Sequence, residues 1–321
     1  MASCEAVSYN QEGRMKLQKI KTVIRRDWQY YLFILLPLAY FIIFKFFPMA
    51  GLQIAFRDYT PRGGIWNSPW VGMENVIKFI QSYQFERVVK NTFLLSVYGF
   101  SMNTIIPLAF ALIYNAIEKP RFKKVTQTIV TLPHFISVVV LVGILMQLFN
   151  NRIGLYGILY ENFFGEYPPD IFGNPKAFRH LYVWSSIWQN FGWNAIIYIA
   201  TLSGVDAGLH EAAQLDGASR LQRIWHVDLP YLTPTIVILT VMGMGRIMSV
   251  GFEKAFLMQN SLNLEYSELI STYVYRIGLS GTTVSDFSYA TAIDLFNAVL
   301  NLVLLFLANL AGRRLTETSL W

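Results

Sequence analysis

The chain has 321 residues, 54% of them hydrophobic and only 14% charged, with 24 Phe, 18 Tyr and 8 Trp. A soluble domain carries roughly 25% charged residues, so the composition excludes an ordinary water-soluble globule and points to surfaces that meet lipid or other apolar helices. The net charge of +6 does not mark a nucleic-acid binder, because Lys and Arg stand at the ends of apolar runs and there set membrane orientation.

Residues 1–27 are polar and basic, with Arg14, Lys16, Lys19, Lys21, Arg25 and Arg26. They read as a tail with anchoring charges over the first twelve residues; residues 13–27 fit either more tail or a basic amphipathic helix on the inner leaflet. The lone Cys4 excludes an internal disulfide. A bilayer core of about 30 Å takes roughly 20 apolar residues per helix, and six runs meet that length: 28–47, 91–117, 125–149, 181–202, 231–252 and 287–310. The first is long and lacks a small-residue cleavage site after it, so it is expected to be retained. Residues 48–90 are too polar to span; Gly63, Gly64 and Pro69 mark turns, and Val76, Ile77, Ile80 and Phe85 suggest a short amphipathic helix. Residues 150–180 and 253–286 are expected as outer loops. The fold class is therefore an all-α integral membrane protein with six transmembrane helices.

Six spans place both termini on one side. Lys and Arg concentrate in the amino-terminal segment, in the short turn holding Lys119, Arg121, Lys123 and Lys124, in residues 206–230, and in a tail, 313–321, that opens on Arg313 and Arg314. That side is expected to be cytoplasmic.

The chain carries no chemistry of its own that would drive transport. No Gly-Lys dipeptide occurs, which excludes a phosphate-cradling P-loop. His134, His180, His210 and His226 show no HExxH or paired metal-ligand spacing, and no GxSxG is present. Polar groups inside spans are costly and therefore informative. Gln189, Asn190 and Asn194 lie beside Trp184, Trp188 and Trp193; amides and aromatic faces together suit a sugar, and amides also join helices in membranes. Asn297 and Asn301, four apart, carry the same two readings. Arg246 and Asp294 either line a hydrophilic path or form a structural ion pair, and Glu253 and Lys254 fit a structural pair or snorkelling better. A proton-coupled secondary transporter would show inverted repeats and a mid-membrane coupling site, and no clear internal repeat is present. A membrane-embedded glycan enzyme would need a catalytic carboxylate, which nothing here singles out.

The most informative stretch is 210–231, HEAAQLDGASRLQRIWHVDLPY. Glu211, Ala212, Ala213, Gln214 and Leu215 favour helix, Asp216-Gly217 marks a turn, and Ser219 caps a second helix over 220–227 that leads through Leu229-Pro230 into the next apolar run. Glu211, Ala212 and Ala213, a Gly four residues on (Gly217), nine residues, then Val227, Leu229 and Pro230 together resemble the cytoplasmic EAA loop of ABC importer permeases. Asp216 and Ala218 complete its common DGA form, and Val227 stands where the family more often has Ile. The resemblance extends to WVGMENV (70–76), KNT (90–92), LPHFIS (132–137), SVGFEK (249–254), STYVYRIGL (271–279), FSYATA (287–292) and the closing RRLTETSLW. These are similar to the polysaccharide- and complex-oligosaccharide branch, to which the larger permease of the alginate importer belongs. The resemblance implies a type I importer fold and a heterodimer with a second, related permease. It also implies two ATPase subunits that bind the ATP and Mg, so that this chain needs no cofactor, and an extracytoplasmic solute-binding protein that delivers a saccharide. It places ATPase coupling on Glu211, Ala212, Ala213, Asp216, Gly217, Ala218, Leu229 and Pro230. The saccharide itself is left open.

Overall fold

The structure, a computed structural model, describes residues 26–280 and 285–316. The expectation for the basic segment 1–27 falls almost wholly outside these residues; the tail expected over 313–321 is described only to Thr316, where it continues the last helix. Among the described residues the regular structure is all helical, apart from one isolated antiparallel bridge between Arg57 and Trp70.

The first apolar run forms α1, Trp28–Phe41, and continues through a wide turn, Ile42–Phe46, and a tighter 3-10 stretch, Ala50–Phe56. None of the residues in α1 is buried by the rest of the chain. The expected amphipathic helix is α2, Glu74–Ile80, which turns Val76 and Phe79 inward. Two long helices then form the spine: α3, Gln84–Asn115, and α7, Pro175–Leu202. Their shared face buries Leu95, Phe178, Tyr182, Val183 and Ile187.

The span expected over 125–149 is not one helix. It is α4, Pro120–Thr131, then a tight turn Leu132–Phe135, then α5, Val138–Leu148, with a bend of 97° between the two halves. The bend is written locally: Pro133 cannot extend the ladder, and the Ser137 hydroxyl accepts from the Val140 N–H to cap a new helix. Composition is apolar on both sides of the bend, so hydropathy reads straight through it.

Helix α6, Leu155–Phe164, occupies part of the expected loop 150–180. The elbow comprises α8, Ala207–Leu215, and α9, Arg220–Arg223. A wide turn, Ile224–Asp228, joins α9 without a break to α10, Leu229–Met244; such a wide turn accommodates the missing N–H of Pro230 inside one continuous helix. The span expected over 231–252 ends early, at Met244. There Asn301, more than fifty residues away, accepts from the Met248 N–H and donates to Ser249. The expected loop 253–286 holds α11, Phe252–Met258, and α12, Ile270–Gly278, whose Ala255, Met258, Ile270 and Tyr273 are core residues. The last helix, α13, is Phe287–Thr316.

Among the described residues, four helices are long and apolar enough to cross a membrane, or five with the bent pair. Helix α7 is long enough, about 42 Å at 1.5 Å per residue, but its polar residues lower its hydropathy. They are tolerated because several, Ser185 and Gln189 among them, are buried against neighbouring helices.

Candidate functional site

The elbow is assembled by local chemistry. The Asp206 carboxylate accepts from the Gly208 N–H and caps α8. Helix α8 ends where Gly217 adopts φ +78°, a left-handed conformation that glycine takes at no steric cost. Ser219 and Gln222 form a reciprocal capping box that starts α9. Glu211 and Ala212 are exposed, Ala213 and Ala218 half-buried. Together with Asp216, Gly217, Gln222 and His226, these two alanines line a cleft of about 230 Å³ between the two short helices. Leu229 is half-buried and Pro230 exposed at the base of α10. Around the elbow Leu209, Leu215, Leu221 and Trp225 all face outward, Leu215 with 90% of its surface exposed.

Behind the exposed face lies Asp228, which the sequence reading passed over. Only 3% of it is exposed. The Asn115 amide donates to its Oδ1 at 3.2 Å, and His210 Nε2 lies 3.3 Å from the same oxygen.

The saccharide-path candidates fall in different places. Gln189 donates Nε2 to the Ile136 carbonyl at 2.7 Å, and Asn190 Oδ1 meets His134 Nδ1 at 2.9 Å. The His134 ring stacks on Trp193 with centroids 4.4 Å apart. These two amides therefore hold the α4–α5 bend against α7. Asn194 instead lines a groove of about 490 Å³ with Phe100, Asn103, Thr104, Trp193 and Gly243, near the middle of α3. Asn103 and Thr104 each donate back to their own helix, to Gly99 and Phe100, which leaves the Asn103 carbonyl and the Thr104 lone pairs facing the groove region. Both are polar residues inside the span expected over 91–117, and that was the signal by which they could have been found. Asn297 is buried in α13 and its Oδ1 has no hydrogen-bond partner. Arg246 and Asp294 are exposed and do not pair with each other. Lys254 is buried, 5% exposed, and donates to the Tyr182 carbonyl and Ser186 hydroxyl; exposed Glu253 is not its partner.

At the end of the molecule opposite the elbow, buried Glu268 is clamped by Arg87 and Arg276, and Asn91 bonds the backbone carbonyls of Glu265 and Glu268. This lattice fixes the starts of α3 and α12. Among the described residues no group of His, Cys, Asp and Glu is arranged to hold a metal ion.

Comparison with known proteins agrees with this geometry. The pattern of the binding-protein-dependent transport system inner membrane component family matches residues 103–317. Protein LplB of Bacillus subtilis (strain 168) is 36% identical over 298 residues, 93% of this chain and 92% of its own length. The polygalacturonan/rhamnogalacturonan transport system permease protein YteP of the same organism is 37% identical over 317 residues, 99% of this chain and 97% of its own. A chain in the crystal structure of a bacterial ABC transporter involved in the import of the acidic polysaccharide alginate matches with a TM-score of 0.84 and 36% identity, over 93% of this chain and 99% of that one. That transporter has also been solved in complex with an alginate pentasaccharide-bound periplasmic protein, with the same TM-score. An exposed elbow, a groove between helices that carries Asn103, Thr104 and Asn194, and relatives aligned almost end to end lead to one conclusion: the chain belongs to the binding-protein-dependent transport system inner membrane components, as a membrane-spanning permease subunit of an ABC sugar importer.

Proposed function

We propose that this chain pairs with a second permease in the bacterial inner membrane. Two ATPase subunits dock from the cytoplasm, and an extracytoplasmic solute-binding protein delivers an oligosaccharide. Both termini and the elbow lie in the cytoplasm, a reading that the distribution of Lys and Arg supports. The observation that carries the reading is the elbow, with Glu211 and Ala212 exposed beside outward-facing Leu209 and Leu215. The alanines permit close approach, the apolar side chains need cover, and Glu211 offers a carboxylate to a basic group on the ATPase. ATP-driven closure of the ATPase pair then moves the spanning helices and alternates access to the path. Asn194, Asn103 and Thr104 offer hydroxyl-directed hydrogen bonds, and Trp193 and Phe100 offer faces for sugar C–H groups. Relatives named for polygalacturonan and alginate support a fragment of an acidic polysaccharide as the solute.

The test is co-purification and uptake with the reconstituted complex. Glu211→Lys should lose the ATPase while keeping the partner permease. Wild-type uptake of galacturonan or alginate fragments should require ATP and persist after collapse of the proton gradient. Full ATPase recovery with undiminished uptake in Glu211→Lys would remove the role given to Glu211; uptake that follows the gradient would replace the importer with a secondary transporter.

A further inference from the structure

Helix α8 is poorly held by packing. None of its residues is buried, and it hangs between two short connections, the Ser203–Asp206 segment from α7 and the Asp216-Gly217 turn into α9. A helix held only in this way would swivel when pushed, and a partner's movement would be absorbed at the joints.

Polar contacts supply what apolar packing does not. Asp228 is buried where three elements meet: the inner end of α3 through Asn115, α8 through His210, and the wide turn that feeds α10. To one side, exposed Arg220 reaches Glu118 just beyond α3 at 2.9 Å. On the other, the Tyr231 hydroxyl at the start of α10 donates to the Gly204 carbonyl in the joint preceding α8 at 3.1 Å. Asp228 is the shared centre, and a buried carboxylate stripped of a partner is costly, so the junction resists opening.

We infer that His210, Asp228 and Asn115 form a latch that locks the coupling helix α8 to the inner ends of α3 and α10, making His210 and Asn115 positioning residues for energy coupling. This rests on the reading of the elbow as the ATPase contact. With the latch closed, a displacement of α8 moves α3 and α10 together, and these are helices whose residues Phe100, Asn103, Thr104 and Leu239 line the groove. With the latch open, ATP is hydrolysed and the stroke is lost in the joints. The latch thus acts on the ratio of transport to hydrolysis, whereas Glu211 acts on docking.

The experiment uses the complete complex in proteoliposomes, with galacturonan or alginate fragments that the wild type accumulates, and measures uptake per ATP hydrolysed. His210→Leu should retain the ATPase and its hydrolysis while uptake per ATP falls about tenfold. His210→Gln, which keeps an N–H donor toward Asp228, should restore most of the ratio. Asn115→Ala, remote from the exposed face of α8, should uncouple in the same way, and it decides the matter if His210→Leu disturbs docking. An unchanged ratio in Asn115→Ala, or equal ratios in the Leu and Gln variants at position 210, overturns the latch. Failure of docking is recognised separately, as Glu211→Lys leaving both ATPase recovery and uptake intact.

Discussion

Lys254 shows what one buried charge does to the chain. Its ammonium lies among Tyr182, Ser186 and the Tyr182 ring, in α11 and outside the spanning helices, and burial pushes its pKa from 10.5 down to about 7. Because the folded value is lowered, the unfolded chain binds the proton first as pH falls. Stability is therefore full above about 10.5 and is lost as pH falls toward about 7. Lys254→Met should flatten that slope in detergent melting curves recorded between pH 7 and 10, and raise the melting temperature at pH 7. A slope unchanged by the substitution would show that Lys254 stays charged in the fold. At the same scale, Gln189, Asn190 and Asn194 were legible in the sequence as polar residues inside a span. Their separate uses were not, since joining helices and meeting a sugar call for the same amide. Only the position of Ile136 and His134 beside α7 divides them.

Among the elements, the elbow was the most legible because its determinants are local: Asp206, Gly217, and the Ser219–Gln222 capping box act within a few residues of themselves. The end of α10 was not, because Asn301 fixes it from another helix. The α4–α7 contact also depends on a distant partner. A Cβ at Gly192 would run into the Val130 carbonyl, so the two helices meet backbone to backbone. In an open helix Gly→Ala gains about 1 kcal/mol; here Gly192→Ala should instead cost roughly 1–3 kcal/mol through overpacking. The measurement is the detergent melting temperature, whose fall would confirm the close approach and whose rise would deny it.

Across the whole molecule, α1 stands apart from a core built by α2, α3, α5, α7 and α10 to α13. Burial against the chain begins only near Ala55, which packs with Val76 and Ala292. Deletion of residues 1–47 should therefore leave the helical circular dichroism per residue and the melting temperature of the detergent-purified chain almost unchanged. A large fall would mean that the first span supports the core. The sequence by itself determined the membrane class, the elbow and the family likeness, because apolar run length, charge placement and turn chemistry are properties of neighbouring residues. The tertiary structure alone decided the core role of residues 252–278 and the meeting of Asn115, His210 and Asp228. Those depend on contacts between residues far apart in the chain, and no local pattern encodes which distant surface a helix will meet.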